Sequence, residues 1–501
     1  MIFRPQAKDF KLIGFYSGQI ILGLSIWFLI PAIVAFFANE RNCLLDFGIS
    51  FVAAVGLGLL LILLCSLPRR DLTLSWMHGM VAVALSWIIA MLCGALPMWL
   101  SGYWNSFLDA CFDSMSGFAT TGLTIANNID HMPYSLNLWR HLIMFIGGQG
   151  IVIIVLSFIS SGGSYSLYLG EAREDRILPN LLQTSRFIWV VSFVYLVLGS
   201  LALASAMKIE GLPWIDALFQ GVCIFMAGFD TGGFAPQSQN LLYYHSALIE
   251  LIAMVIMFLG AISFSLHYVV WSGRRKELIK DIELQSFVLS ILILFACVLF
   301  GLLRNHTYDS AILLFRKGLF HLISAHTGTG FTTLYSSQFG NLWHPFTILI
   351  IIIAMGIGGS IGSTTGAIKI MRLSLVFKSF RSEIKRLMFS DSTVVVERLH
   401  HFKEMTLEDS YVKNVLMITF AFICLYLFGT LAGVMCGYPV LDSLFESVSA
   451  SANVGLSMGI TSPSMPTLLK ITYIFQMWIG RLEFISVFVL VGFIVSWLKG
   501  K

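Results

Sequence analysis

Charge is scarce in this sequence. Only 12% of its 501 residues are Asp, Glu, Lys or Arg, while 57% are hydrophobic; a soluble domain averages about 25% charged. With a mean hydropathy of +0.84, the composition argues against a soluble enzyme and points to a multi-pass membrane protein. The 31 basic residues form no tract that could follow a phosphate backbone, so nucleic acid drops out as a partner. No phosphate-binding G-x-x-x-x-G-K-[ST] occurs, and GIGGSIG (356–362) lacks the third glycine of a dinucleotide fingerprint, so the chain carries no nucleotide site of its own. The eight cysteines stand singly, mostly in apolar runs, with neither metal-ligand spacing nor a disulfide framework; they read as small buried hydrophobes.

What the sequence has in abundance is long apolar runs. A bilayer core of about 30 Å needs roughly 20 apolar residues in a helix. Ten runs qualify: 12–38, 47–67, 74–100, 138–160, 187–207, 244–271, 286–303, 346–375, 412–436 and 468–498. Shorter apolar segments near 105–118, 214–229, 311–326 and 441–452 are too short to cross. They read as re-entrant half-helices, which a bilayer tolerates only where their non-helical ends line a water-filled cavity. With the N-terminus inside, 23 Lys and Arg fall on the cytoplasmic side and seven (Arg41, Arg140, Lys208, Arg304, Arg316, Lys317 and Lys470) on the outer side. This bias follows the positive-inside rule and places both termini in the cytoplasm. One basic residue, Arg481, is left over within a crossing.

The half-helices announce an internal repeat. The turns that follow them, SGFATTGLT (116–124), AGFDTGGFA (227–235), SAHTGTGFT (324–332) and SASANVGLS (449–457), can be laid over one another with Gly122, Gly233, Gly330 and Gly455 in register. Asp216 to Gly233 spans 17 positions, whereas Asp109 to Gly122 and Asp442 to Gly455 span 13. That difference is about one helical turn, and a register using Gly228 stays open. Aspartates 109, 216 and 442 open their half-helices, where N-capping accounts for them. Each repeat is a spanning helix, a half-helix, a glycine turn and a second spanning helix, so four copies share one orientation about an axis along the membrane normal. The inner helices share a further glycine, as Gly147 and Gly148, Gly260, Gly358 and Gly359, and Gly480 show. The expected fold class is all-α integral membrane: repeats at 71–165, 184–272, 285–380 and 411–501, preceded by a two-helix segment at 1–70.

Four glycine turns around one axis suit a monovalent cation, because a ring of backbone carbonyls can replace its hydration shell and glycine reaches the φ values this needs. The C-terminal ends of the half-helices add partial negative charge. The bland alternative is that glycine and threonine mark tight turns or helix packing.

The stretch DACFDSMSGFATTGLTIANNIDHMPYSLNLWRHLIMFIGGQGIVII (109–153), with DTGGFAPQSQN (230–240), GIGGSIGSTTGAIK (356–369) and IGRLEF (479–484), resembles the Trk/Ktr/HKT superfamily of potassium transporters. The resemblance covers essentially the whole chain. The two additional crossings at the start favour the TrkH type of membrane subunit over the eight-helix KtrB type. It implies potassium uptake across a bacterial cytoplasmic (inner) membrane, with the potassium ion as substrate and no covalent cofactor. The filter would comprise Thr121, Gly122, Gly232, Gly233, Thr329, Gly330, Val454 and Gly455. It implies a gate in the glycine-rich stretch of Gly356, Gly358, Gly359, Gly362 and Gly366, with the alternative of a continuous helix packing through Gly358, Gly362 and Gly366. It also implies a homodimer in membrane lipid above a cytosolic nucleotide-binding TrkA-like regulatory subunit. The hydrophilic 378–411 stretch, with the 162–186 and 272–285 loops, is either a docking surface for such a partner or a solvated linker.

Arg481 occupies the register of Gly148, just inside the filter. A charge in mid-membrane is a functional hypothesis: it would raise the barrier for potassium and hold the gate loop through backbone carbonyls, or else form a structural pair with Glu483 or another buried acid. Asp113, Asp230 and His326 lie close to the filter turns, either tuning cation entry or serving as caps. His400 and His401 adjoin, but two histidines without further ligands do not make a metal site. The second functional reading is an ion-coupled (H+ or Na+) potassium or sodium symporter. A membrane-embedded enzyme lacks the nucleophile or paired acids it would need.

Overall fold

A chain this apolar satisfies its backbone N–H and C=O groups within helices, because hydrocarbon offers them no partners. The computed structural model describes residues 5–68, 74–151, 167, 181–388, 398–401, 403–406 and 409–499. Six of the described helices are long and apolar enough to cross a membrane: Ala7–Phe37, Arg41–Leu64, Trp76–Leu100, Leu182–Ile209, Ile282–Arg304 and Tyr411–Met435. The first two form an N-terminal hairpin, and each of the other four opens a repeat as its outer helix. Outward-facing Leu45, Val52, Leu63, Leu289, Phe300, Phe420 and Leu431 on these helices are exposed, an apolar belt suited to lipid rather than water.

Each outer helix leads to a half-helix, namely Phe107–Phe118, Trp214–Phe229, Ala311–His326 and Val440–Ser451. Each half-helix leads to an inner helix, Tyr134–Gln149, Ala247–Ala261, Pro345–Gly356 and Thr467–Arg481. Within a repeat the half-helix packs against both of its companions. Between repeats, the inner helix of repeat 1 packs on the half-helix of repeat 2, repeat 2 on 3, repeat 3 on 4, and the inner helix of repeat 4 returns to the half-helix of repeat 1. The contact order therefore closes into a ring. The N-terminal hairpin docks on its outside: Glu40 accepts hydrogen bonds from the Tyr134 and Ser135 backbone N–H groups at 2.7 and 3.1 Å. Phe28 stacks on Trp139 at 4.5 Å, and Asp9 meets His78 at 2.9 Å.

Two expectations need correction. Asp109, Asp216 and Asp442 do not cap their half-helices. They occupy the third helical position, after Ser106, Pro213 and Pro439, where a carboxylate still favours the helix dipole but its oxygens are free to reach elsewhere. Asp109 pairs with Lys470 at 2.6 Å, joining repeat 1 to repeat 4, and Asp216 accepts the Tyr134 hydroxyl at 2.8 Å. Secondly, no described inner helix runs straight through. Those of repeats 2 and 4 break and turn by 99° and 111° into Phe264–Trp271 and Ile485–Leu498. That of repeat 1 ends at Gly150, with φ +97°, and residues 152–166 lie outside the described set. That of repeat 3 stops at Gly356 and gives way to a loop whose ends pair as short parallel strands, Ile357 with Ile368 and Gly358 with Lys369. The following helix, Ile370–Met388, carries Arg372, Lys378, Arg381, Lys385 and Arg386, so the apolar run 346–375 is not one crossing.

Breaking a buried ion pair by removing one partner costs about 3–5 kcal/mol, because the other charge is stranded. Asp109→Leu should therefore lower the thermal unfolding midpoint in detergent, and adding Lys470→Met should restore most of the loss. A midpoint indifferent to Asp109→Leu would remove this pair as the closure of the ring.

Candidate ion pathway

The four half-helices end in the same way. Their C-terminal turns are all Schellman motifs, in which the backbone folds back on the last carbonyls through a left-handed residue. Thr121 N–H donates to the Ser116 carbonyl at 2.7 Å, Gly232 to Ala227 at 2.7 Å, Thr329 to Ser324 at 2.9 Å and Val454 to Ser449 at 2.9 Å. The preceding residues, Thr120, Thr231, Gly328 and Asn453, all have positive φ, at 54°, 50°, 68° and 56°. Two positions later Gly122, Gly233, Gly330 and Gly455 again have positive φ, at 91°, 72°, 83° and 96°. Gly228 instead lies inside its half-helix, donating no turn, and packs against Ile256 and Phe331. It matches Gly117, and the offset of Gly233 arises because the second half-helix is 16 residues long against 12 in the first.

Glycine is required at these four places by contact as well as by φ. A Cβ on Gly122 would overlap the carbonyl oxygen of Gly232; on Gly233, that of Thr329; on Gly330, that of Val454; and on Gly455, that of Thr121. Each glycine thus abuts the carbonyl preceding the next, and the fourth returns to the first. All eight residues singled out from the sequence meet in this ring.

The ring is braced from outside by polar side chains, which the sequence did not bring forward except for Asp113. Asp113 accepts the Ile125 N–H at 2.8 Å and the Thr124 hydroxyl at 2.6 Å. Glu446, at the same position in repeat 4, accepts from Met458 and Ile460 N–H at 3.0 and 3.2 Å and from the Thr461 hydroxyl at 2.9 Å. His321 in repeat 3 accepts the Thr333 N–H at 3.2 Å. In repeat 2 the equivalent is Ile224, and Asn240 takes over: its amide donates to the Gly233 carbonyl at 3.1 Å and accepts from Thr332 N–H at 3.2 Å. The signal was a polar residue nine positions before the glycine in repeats 1, 3 and 4, namely Asp113, His321 and Glu446. Asp230 and His326 have other partners: Asp230 accepts the Gln149 amide at 2.9 Å, and His326 meets Ser290 at 2.7 Å while stacking on Phe287.

Beyond the ring, the inner helices end at Gln149, Ala261, Gly356 and Arg481, which leaves their C-terminal carbonyls to partners outside the helix. The 357–369 loop of repeat 3 settles on those of repeat 2. Ser360 N–H donates to Ala261 at 3.0 Å, and the Thr364 hydroxyl to Gly260 and Phe229 at 3.0 and 3.1 Å. Gly358 abuts the Gly366 carbonyl, Gly359 that of Ala261, and Gly366 the Ala452 carbonyl and Asn453 side chain; Gly362 turns the loop at φ +72°. A continuous helix through Gly358, Gly362 and Gly366 is ruled out by this path, and Gly358 and Gly359 do not repeat the packing of Gly147, Gly260 and Gly480 on the half-helix ends. Arg481 meets the same loop. Its guanidinium donates to Thr364 at 2.5 Å, to Gly147 at 2.6 Å and to Gly148 at 3.3 Å, and lies 3.4 Å from the Thr120 hydroxyl. It does not pair with Glu483, which is held by Arg372 and, at 3.7 Å, by Lys369.

The sequence matches the profile of the TrkH cation transport proteins over residues 48–495. The chain belongs to the TrkH family. Among curated relatives of this TrkH-family chain, an uncharacterized cation transporter of Methanocaldococcus jannaschii is 34% identical, with 98% of this chain and 97% of that protein covered. The Trk system potassium uptake protein TrkH of Halomonas elongata is 30% identical, covering 88% and 91%. TrkG of Escherichia coli, also a Trk system potassium uptake protein, is 29% identical, covering 96% and 97%. The crystal structure of the potassium transporter TrkH from Vibrio parahaemolyticus superposes with a TM-score of 0.82 over 96% of this chain and 98% of that one, at 24% identity, which establishes the shared fold.

A TrkH-family ring held this way depends on its braces. Each buried donor left without an acceptor costs about 1–3 kcal/mol, so Glu446→Ala should destabilise the chain by at least about 3 kcal/mol, read as a lowered unfolding midpoint, with Glu446→Gln losing less. Equal midpoints for wild type and Glu446→Ala would show that the loop holds its shape without this carboxylate.

Proposed function

We propose that this chain is a potassium uptake protein of the cytoplasmic membrane, passing the ion along the pseudo-fourfold axis. The observation that carries the reading is the closed ring of four positive-φ glycines, each against the carbonyl before the next. The carbonyls of Thr121, Gly232, Thr329 and Val454, with those of the four glycines, replace the hydration shell of a dehydrated monovalent cation. The half-helix C-termini behind them favour positive charge. The printed names of the relatives, potassium uptake proteins of Trk systems, support potassium as the ion.

In this reading the 357–369 loop is the gate and Arg481 its latch. The loop bridges the broken inner helix of repeat 2 and the turn of repeat 4, and Arg481 ties it to repeat 1, so the path beyond the ring is closed by hydrogen bonds between repeats. Regulation comes from a cytosolic nucleotide-binding partner of the TrkA type beneath a homodimer. The basic face of Ile370–Met388 and the 398–406 hairpin offer its docking surface; residues 389–397 and most of the 162–186 loop lie outside the described set. The orientation with both termini in the cytoplasm rests on the distribution of basic residues.

Expression in a bacterial host stripped of its own potassium uptake systems tests the assignment. Growth at low external potassium should be restored, and sodium should not substitute; failure at every potassium concentration where the protein is present in the membrane overturns it. Removing the latch charge should raise flux. Arg481→Gln in proteoliposomes is expected to increase rubidium flux roughly tenfold, equivalent to about 1.4 kcal/mol of barrier, and an unchanged flux in folded protein would end the barrier role. Flux without resolvable unitary currents in planar bilayers would favour ion-coupled symport.

A further inference from the structure

His400 and His401 gain ligand-type company in the fold. The strand Arg398–His401, paired with Lys403–Thr406 in an antiparallel hairpin, lies against the start of the outer helix of repeat 3. His401 Nδ1 sits 2.9 Å from an Asp281 carboxylate oxygen, while His400 Nε2 sits 2.8 Å from Glu277, a hydrogen bond that holds the Glu277 carboxyl below its usual range. Asp281 caps the helix Ile282–Arg304 through its other oxygen, accepting from Glu283 and Leu284 N–H at 3.0 and 3.2 Å. Glu283, one residue into that helix, accepts the Ile361 N–H of the 357–369 loop at 3.0 Å. The donor atoms of Asp281, Glu283 and His401 all lie within 4.8 Å of one another, and all three residues are buried.

We propose that Asp281, Glu283 and His401 form a binding site for a first-row divalent cation of the zinc type, which clamps the cytosolic hairpin to the gate loop. One imidazole and two carboxylates are a donor set for such an ion, leaving a position for water. Bonds of about 2.0–2.2 Å in tetrahedral geometry place ligand atoms roughly 3.4 Å apart, so the triad closes on the ion with small side-chain movements. Calcium and magnesium are disfavoured, because they ask for six or more oxygens, and for magnesium a near-ideal octahedron. The ligands come from two distant stretches of chain, 281–283 and 401, and one already holds the backbone of Ile361. Drawing Glu283 onto the metal therefore shifts or fixes the loop that Arg481 and Thr364 seat from the other side. The regulatory consequence rests on the gate reading above; the site itself does not.

The test uses the full-length protein in detergent, stripped with a chelator and titrated with Zn2+ against a chromophoric competitor, with Mg2+ as control. One zinc per chain is expected, weakened at least tenfold by His401→Ala and by Glu283→Gln but not by His400→Ala. Zinc-edge absorption of the wild-type protein should show nitrogen and oxygen ligands with one imidazole, a readout independent of whether any variant folds. No zinc binding by wild type, or binding equal in wild type and folded triad variants, overturns the site and leaves a hydrogen-bonded clasp. In proteoliposomes, zinc on the cytosolic face should change wild-type rubidium flux severalfold and leave His401→Ala flux unaltered. Zinc bound at the triad with wild-type flux unmoved would overturn the coupling to the gate. Absence of rubidium flux under every condition would instead count against the uptake assignment, with the binding result intact.

Discussion

A carbonyl released by breaking a helix inside a bilayer must find another partner, and the organisation of this protein follows from that constraint. The inner helices end at Gln149, Ala261, Gly356 and Arg481, and each end leaves a set of C-terminal carbonyls without helical partners. Two of those sets are met by two devices in the described structure. One is the guanidinium of Arg481, with its several donors in a fixed fork, on Gly147, Gly148 and Thr364. The other is the glycine-rich loop of repeat 3, whose small residues let backbone approach backbone at Ala261 and Ala452. A cation beside carbonyls at helix C-termini is electrostatically favoured, which explains why an otherwise costly charge is stable there.

Two strained residues lie where these contacts are made. Thr120 and Thr231 are β-branched residues held in the left-handed region, at a cost of order 1–3 kcal/mol each. Glycine would relieve it, as Gly328 does in repeat 3. Yet their hydroxyls approach Arg481 at 3.4 Å and Thr364 at 3.1 Å respectively. The residue that shapes the turn is therefore also the residue that touches Arg481 or the 357–369 loop. Ring and 357–369 loop are adjacent faces of one structure, joined through single side chains.

How much of this was legible beforehand depends on the range of the interaction. Hydropathy gave the outer helices, because a spanning helix is a property of its own twenty residues. The repeat was visible because a Schellman turn and a close carbonyl contact both select glycine at fixed spacing, so Gly122, Gly233, Gly330 and Gly455 align. The breaks in the inner helices of repeats 2 and 4 were not visible, unlike that of repeat 3 with its glycine-rich 356–366 stretch: the apolar runs at 244–271 and 468–498 continue unchanged through bends of 99° and 111°. What stops them is tertiary, the seating of another segment on the freed carbonyls. For the same reason Asn240, Lys369 and the triad around His401 looked like isolated polar residues. Their partners are separated from them by up to 120 positions in the case of Asp281 and His401, and no local pattern marks such a pairing. Arg481 was conspicuous as a lone charge, whereas its choice of Thr364 and Gly147 over nearby Glu483 follows from Arg372 and Lys369 occupying that carboxylate.

The central claim is that four glycine turns form one ion-coordinating ring. Anomalous scattering from crystals grown in rubidium tests it most directly. The account predicts an anomalous peak on the pseudo-fourfold axis, within coordination distance of carbonyls from all four turns, those of Thr121, Gly232, Thr329 and Val454 included. A well-ordered ring without a peak, or a peak held by fewer than four turns, would contradict it.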